Sequence, residues 1–561
     1  MQGQSLGQKI RRRQKQMENI RQPAESDWKV ITDILMPGLT YFDGNKSEGH
    51  RVGTSSYTSG PARHLRTAAD GIMGSMVSPH IRWLALLPQD PELSDIREVR
   101  EYYQDCEEQL YYGFENSNFY SVLPAHIRAG LAIGNSCLID QEDIQSGKVV
   151  YKTPHPREVY FGLNHLDEVA IFHRKFELEA YRAAGFFGAD NEGLSQPVKN
   201  NIQNNQDAKT PFLQAIYHNS DPILDGKTYP QEWVEFYIDL SQPEGGAFKP
   251  LRQAGYHYWP VSPWRFEINS DEIYGRGIGH LALADILGLN QYAAGNLVGF
   301  QQVVDPALLA PLDLRGRIRR KAGGITYYDS VNGTPPVDRL YKQPPDMQAG
   351  LTLEERTEEA IREWFSVSFF TMLSDMVRDG GSPPTATQVM EMAGEKAMLL
   401  ISRVGRLNTE TLDSVVKRRF VVEHRAGRLP DPPQILMDSG GVLPQIDYVG
   451  PLAQLQKQMI QLRPIREGMA QLGMLAEFDP SVVHAVKMGE LAEEVLKKTI
   501  GFPQHVVRTQ REYEAIMQAM QERAEQDRQM QQAAMAADAV PKLQGKTEEG
   551  SPMGNLADAL R

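Results

Sequence analysis

The stretch from Leu351 to Gly427 most limits what this chain can become. It reads as two helices joined by a short loop. The first is expected from about Leu353 to about Leu373. The capping box Thr352-x-x-Glu355 opens it, each side chain satisfying the other residue's free backbone N–H. The loop is Ser374-Asp375-Met376-Val377-Arg378-Asp379-Gly380-Gly381-Ser382-Pro383-Pro384. Gly-Gly stops a helix by entropy, and Pro-Pro stops it by lost donors and clashes. A second capping box, Thr385-x-x-Gln388, starts a helix expected to reach His424, with Gly427 as its C-terminal cap. Forty-odd residues at about 1.5 Å each make a rod of roughly 60 Å. Such a rod is too long to serve one small core, so the rest of the chain must be arranged around it.

With 561 residues the chain exceeds one core, and two to four structural units are expected. Its hydrophobic share of 41% and charged share of 23% are those of a folded soluble protein. The mean hydropathy is -0.44, and no apolar run reaches the roughly 18 residues a membrane span needs. The N-terminus is polar and basic, without the apolar stretch of a signal peptide. Cys106 and Cys137 have no C-x-x-C spacing and suit a reduced site of synthesis with two buried thiols. The net charge of -13 excludes a tight DNA gripper, because such affinity comes from neutralised phosphates. It suits a protein that lets DNA pass without sticking.

Residues 5–22 read as a basic helix (Lys9, Arg11, Arg12, Arg13, Lys15, Arg21), interrupted at Pro23 and followed by a second helix to Pro37. The basic run could meet DNA or an acidic partner, although a solvated helix face is the stronger expectation. A helix starts near Pro61 and ends at Ser78-Pro79, and a strand covers 81–88. Helices at about 94–114 and 118–133 precede strands at 136–140, 148–152, 158–161, 167–174, 212–218, 232–239 and 254–259. Residues 186–210 read as a polar surface excursion. Gly275-Arg276-Gly277-Ile278-Gly279 then leads into a helix over 280–303. Its small residues Ala282, Ala293, Ala294 and Gly295 would admit a close neighbour.

In the opening stretch, Glu354, Glu355, Glu358, Glu359 and Glu363 lie early in their helix, where the helix dipole favours them. Trp364 to Leu373 is apolar nearly all round and needs neighbours on several sides. Gly394 and Gly405 are the expected bend points of the long helix. Further helices are expected over about 451–473 and 479–499. The helix over about 505–537 carries a thin methionine stripe suited to packing on its own copies. The whole reads as an α+β chain, mainly helical.

No phosphate-binding G-x-x-x-x-G-K-[ST], H-E-x-x-H, paired Cys/His spacing or G-x-S-x-G occurs. No catalytic residue, metal ligand or cofactor is therefore assigned. The glycine run at 275–279 departs from G-x-G-x-x-G and has no βαβ unit around it. Two basic spots remain. Arg315, Arg317 and Arg319 alternate onto one strand face, with Arg320 and Lys321 beside them; they would meet an acidic partner or phosphates, or protect a solvated β edge. The other is Arg378, between Asp375 and Asp379 in the loop.

Several stretches resemble the portal, or head-to-tail connector, proteins of short-tailed, podovirus-type bacteriophages. They are Arg63–Pro88, His155-Pro156-Arg157-Glu158-Val159-Tyr160 with Val169–Phe176, Val261-Ser262-Pro263-Trp264-Arg265 through Gly277, Leu283–Asn290, and Pro384–Val389. Their order carries the likeness, over roughly residues 10–500. The resemblance implies a wing over 1–272, stem helices at 273–303 and 351–373, and a clip at 304–350. It also implies a tunnel loop at 374–384, a long wing helix at 385–428, a crown at 429–500, and a C-terminal helix and tail at 501–561, with a possible barrel. It implies a closed ring of twelve copies at a capsid vertex that passes double-stranded DNA during packaging, retention and ejection. Its partners would be the terminase large subunit, the major capsid and scaffolding proteins, and tail adaptor or nozzle proteins, with no membrane. Asp375, Arg378, Asp379, Gly380 and Gly381 would face DNA, the five glutamates would line the stem, and Arg315, Arg317, Arg319, Arg320 and Lys321 would meet clip partners. Another virion adaptor or scaffold-like protein is the nearest alternative. A nucleotide-driven packaging enzyme would need the missing phosphate loop.

Overall fold

The computed structural model describes residues 5–38, 56–143, 148–243, 246, 248–305, 308–309, 338–339, 346–371, 392, 398–400, 403–439, 441–457, 463–478, 486, 491, 495 and 516–531. The chain divides into two compact units. The larger comprises Met1–Gln89 and Tyr102–Gln456, and the smaller Asp90–Glu101 and Lys457–Arg561.

The larger unit is mixed helix and sheet. Helix α1 (Leu6–Leu35) is unbroken, with Pro23 inside it. The expected interruption is thus absent. Proline removes one helical donor, but tertiary packing on both sides of it holds the helix. Upstream, Ile10 lies in a core with Leu213, Ala215, Tyr217, Val234, Phe236 and Ile238. Downstream, Trp28 meets Tyr274 edge-on, with centroids 5.4 Å apart. The basic run is mostly absorbed in this docking. Arg13 pairs with Asp221 at 3.0 Å, Lys9 pairs with Asp225, and Arg11 donates to the Gln242 carbonyl at 2.8 Å. Buried Arg21 donates to the carbonyls of Pro156, Arg157 and Val159 and lies 3.6 Å over the Tyr160 ring.

The main sheet has five antiparallel strands in sequence order: β4 (Val159–Leu163), β5 (Val169–Glu179), β6 (Lys209–His218), β7 (Trp233–Asp239) and β8 (Arg252–Tyr256). Alternation along β6 and β7 turns Leu213, Tyr217, Val234 and Phe236 toward α1. Phe212 and Tyr237 face a second core with Phe187, Val198 and Leu251. Residues 186–210 are not merely a polar excursion: α5 (Ala180–Phe187) and α6 (Gln196–Asn204) contribute Phe187 and Val198 to that core.

A second sheet, in the order β3 (Lys148–Lys152), β2 (Asn135–Asp143), β9 (Val261–Arg265), packs beside α4 (Phe119–Ile133). Strand β9 is not among the strands expected from sequence, and its Pro263 supplies no ladder donor. It is an edge strand, where a missing donor is tolerated. A third pair joins β1 (Leu84–Leu87) to β12 (Gln445–Tyr448), and a fourth, two residues long, joins β10 (Leu308–Leu309) to β11 (Asp338–Arg339). The other edge of β1 is covered by α3 (Arg97–Glu115) instead of a strand. Tyr111 Oη accepts from the Trp83 and Leu84 N–H groups at 2.7 and 2.8 Å, and Glu107 accepts from Leu86 at 2.6 Å. Burial raises the Glu107 carboxyl to about 7.

The helix Asp413–Arg425 closes on this body through Arg418, which donates to Asp140 at 2.9 Å, both buried. It ends as expected. Gly427 has φ +64°, its N–H meets the His424 carbonyl at 3.0 Å, and the Arg428 N–H meets the Glu423 carbonyl at 3.0 Å. This is the paired-bond C-terminal cap that favours glycine. In the smaller unit, Arg463–Ala476 is helical, and residues 516–531 form a helix exposing Met517, Met520 and Met530.

His173 is fully buried on β5 between Gln14 and Tyr217, 2.8 Å from Gln14 Oε1. Since that oxygen only accepts, Nδ1 carries the proton and Nε2 accepts from the Tyr217 hydroxyl. Burial, with Arg13 nearby, lowers its pKa to about 3 from an ordinary 6.5. Between those values the unfolded chain binds a proton that the folded chain does not, so this group's contribution to stability is lost as pH falls. Replacing His173 with Gln should reduce the slope of unfolding free energy against pH by about one proton between pH 6 and 4. Denaturant titrations across that range test this, and unchanged slopes would contradict the buried neutral imidazole.

Candidate channel-lining helix pair

The glycine run at 275–279 builds the root of this site. Helix α4 ends at Gly134 with φ +75°. The 275–277 backbone crosses directly against that turn. Asn135 Nδ2 donates to the Gly275 carbonyl at 2.7 Å, and the Gly275 N–H donates to Asn135 Oδ1 at 2.8 Å. Glu267 and Arg276 exchange backbone bonds of 3.2 and 2.7 Å. A Cβ on Gly277 would lie 2.4 Å from the Gly134 nitrogen and 2.6 Å from the Leu131 carbonyl oxygen. Glycine is needed here for backbone-to-backbone approach, a role unrelated to phosphate.

From this root run α7 (Ile278–Leu281) and α8 (Leu283–Val304). Helix α9 (Met347–Trp364) returns antiparallel to α8. Near one end of the pair, Trp364 Nε1 donates to Asp285 at 3.1 Å; toward the other, Asn296 donates to Glu354 at 2.6 Å. Of the small residues expected at a helix contact, Ala282 is fully buried, Ala293 and Ala294 are half-buried, and Gly295 is exposed.

Helix α9 begins earlier than the sequence suggests. Its N-cap is Asp346, accepting from Gln348 and Ala349 at 3.1 Å. Thr352 therefore lies inside the helix, where its hydroxyl donates to the Gln348 carbonyl at 2.9 Å. The five glutamates consequently sit beyond the first turn, out of reach of the dipole's strongest effect. They divide between faces. Glu354 contacts Asn296, and Glu358 accepts from Arg63 of α2 (Gly60–Met76) at 2.9 Å. His64 stands 3.3 Å from Glu358, but burial lowers its pKa. Arg63 is thus the cation that pairs with Glu358. Glu355, Glu359 and Glu363 are exposed at four-residue spacing, forming one stripe.

The helix does not run unbroken to Leu373. Ser366 takes φ +53° and ψ +30°, and α10 (Val367–Phe370) follows. This left-handed serine was not foreseen from sequence, where no glycine or asparagine marks the turn. Arg403, just beyond the loop region, donates to the Trp364 carbonyl at 3.2 Å and Ser366 Oγ at 3.3 Å. Arg362 donates to Thr371 at 2.9 Å. After Arg403 the helix passes into a π-helical turn, Leu407–Leu412, two residues beyond the expected bend at Gly405. That turn carries Glu410, which accepts from the Arg265 side chain at 2.9 Å. It also carries Thr411, whose hydroxyl donates to the Pro263 carbonyl at 2.9 Å.

Asp375, Arg378, Asp379, Gly380 and Gly381 lie outside the described residues, as do Arg315, Arg317, Arg319, Arg320 and Lys321. So do Gly394 and the Thr385-x-x-Gln388 box. Among the described residues no group of three His, Cys, Asp or Glu is placed to hold a metal ion. No described helix is long and apolar enough to cross a membrane.

The family model for bacteriophage head to tail connecting protein matches residues 7–507. The chain belongs to that family: it is a structural connector of the phage virion. Its role is that of a portal at a capsid vertex, joining head to tail in the company of its own copies. The portal protein of Salmonella phage epsilon15 is 26% identical, over 97% of this chain and 96% of that one. The probable portal protein of Bordetella phage BPP-1 is 24% identical, over 83% of each. A chain in the virion of a native gene transfer agent particle aligns over 74% of this chain and 87% of its own, with 13% identity and a TM-score of 0.30.

The root makes a sharp prediction. Gly277→Ala should cost about 2 kcal/mol, as overpacking against fixed backbone does. Gly74→Ala, on an exposed face of α2 with nothing within 4 Å, should cost nothing and gain up to about 1 kcal/mol. Thermal unfolding of the two variants checks this, and equal midpoints would contradict the crossing.

Proposed function

We propose that twelve copies close into a ring whose central channel is lined by the α8–α9 pair. The map is a wing over 1–272, a clip over 304–350, a tunnel loop over 374–384 and a long wing helix over 385–428. The pairing of β12 with β1 leads us to begin the crown after Gln456 rather than at 429. Residues 501–561 supply a C-terminal helix that assembles with its copies.

The supporting observation is the exposed stripe Glu355, Glu359 and Glu363 on a helix whose other face is committed to α8 and α2. Repeated around a ring, the stripe becomes an acidic lining that repels phosphate and keeps DNA from adhering. Arg378 adds one cation per copy in the tunnel loop, enough for transient contact. The clip, through Arg315, Arg317, Arg319, Arg320 and Lys321, docks the terminase and later the tail proteins. The wing meets capsid and scaffolding proteins. The chain itself performs no catalysis, and the work of DNA movement comes from the motor.

Replacing Glu355, Glu359 and Glu363 together with Lys should leave rings intact but slow DNA entry, with a stronger effect at low salt. Packaging assays at two ionic strengths measure this; wild-type rates at both would remove the stripe from the channel wall. Arg378→Ala should likewise preserve the ring while impairing packaging or genome retention. Full, stable heads in that mutant would overturn its role. Gly380→Pro should stiffen the loop and slow packaging, and an unchanged rate would argue against a moving loop.

A further inference from the structure

One end of the five-stranded sheet holds a cleft of about 860 Å³, large enough for several side chains. Its walls come from the β4–β5 turn, the end of β6, the start of β7, and the π-helical turn at Leu407–Leu412. Trp233 and Trp259 meet there with centroids 4.3 Å apart, and His218 packs edge-on to Trp233 at 4.9 Å. Two buried donors on residues lining the cleft, Trp259 Nε1 and Arg265 Nε, have no hydrogen-bond partner. Arg265 is only 4% exposed, and its Nη2 is already used by Glu410 at 2.9 Å and the Asp167 carbonyl at 3.1 Å. Leaving such donors unmatched is unfavourable, but both atoms are closed to solvent, so the accessible lining of the cleft is the aromatic one. Exposed Glu168 lies at its mouth.

The opposite end of the same sheet carries the complement. Strand β5 starts in the cleft wall and spans roughly 35 Å before α5 begins. Helix α5 exposes Tyr181 at 54% and Phe186 at 42%, with exposed Arg182 between them. Arg252 lies 4.9 Å over the Phe186 ring and supports this knob. Tyrosine and arginine are the side chains that most often anchor interfaces. In a closed ring each copy offers two different patches, one to each neighbour. An aromatic cleft and an aromatic, cationic knob at opposite ends of one sheet meet that requirement.

We propose that α5 of one copy seats in this cleft of the next copy. Tyr181 and Phe186 pack on Trp233 and Trp259, and Arg182 exchanges its partner in its own copy, Glu179, for Glu168 of the next copy. The pairing rests on the ring reading and adds the contact that closes the ring through the sheets.

Full-length chain carrying both Gly185→Cys and Ser220→Cys tests it, the two native cysteines being buried and Gly185 lying exposed on α5 with nothing within 4 Å. Assembled and oxidised, it should give a disulfide-linked ladder on a denaturing gel, while each single variant stays monomeric. Electron micrographs of the same samples report ring formation separately. Rings without a ladder would overturn the pairing and leave the ring reading intact. Absence of rings from the wild-type chain would overturn both. Arg182→Glu should raise the unassembled fraction about tenfold, the effect of losing about 1.4 kcal/mol, and adding Glu168→Arg should reverse it. No rise, or no reversal, would also overturn the pairing.

Discussion

The close crossing of two backbones, Gly134 against 275–277, is the contact on which the arrangement depends. It fixes where the sheet-bearing body ends and where α8 departs. Asn135 uses both ends of its amide on Gly275, so the crossing is held by directed bonds as well as by contact. Helix α1 reinforces it from outside. Its first half is buried against β6 and β7 through Ile10, and its second half reaches Tyr274 through Trp28. One helix thus ties the five-stranded sheet to the root of the helix pair.

The same constraint explains which parts of this architecture were legible from sequence. The sheet was legible because β6 and β7 are short runs rich in aromatic and aliphatic residues, as strands with a core on each face are. Gly427 was legible because a left-handed cap has a strong compositional mark. Pro23 misled because a local breaker is overridden when both flanks are buried. Strand β9 was not foreseen, and its Pro263 is tolerated because an edge strand can lack a donor. Ser366 carries no mark at all: in its left-handed conformation it meets Arg403, which the fold brings alongside from 37 residues away. The glycine run at 275–279 was visible, but its partner, Gly134, lies some 140 residues away in sequence and only the fold brings the two together.

Charge tells a related story. A sequence count cannot distinguish a cation that meets a ligand from one that holds the chain together. In α1 the arginines go to Asp221, to backbone carbonyls and to the face of Tyr160. In α9 one set of glutamates is used against Asn296 and Arg63, and the other remains at the surface. The helical period sorts them once the partner helices are known. The exposed face of α9 is not purely acidic, since Arg356 is exposed beside the stripe and Arg362 stands 3.5 Å from Glu359.

Both helical stretches flanking the loop region are fixed at their bases. On one side, Trp364 is tied to Asp285 and Arg362 to Thr371. On the other, Arg403 reaches back to Trp364 and Ser366, and Glu410 and Thr411 of the π-helical turn hold β9 through Arg265 and Pro263. A π-helical turn inserts an extra residue into the helical register, which re-aims the side chains after it. Here it lets Glu410 and Thr411 engage β9 while Leu407 and Leu412 stay buried. A displacement of either stretch is therefore carried through these contacts into α8 and β9. Since α8 and β9 flank the glycine crossing, such a displacement reaches the same point from both sides.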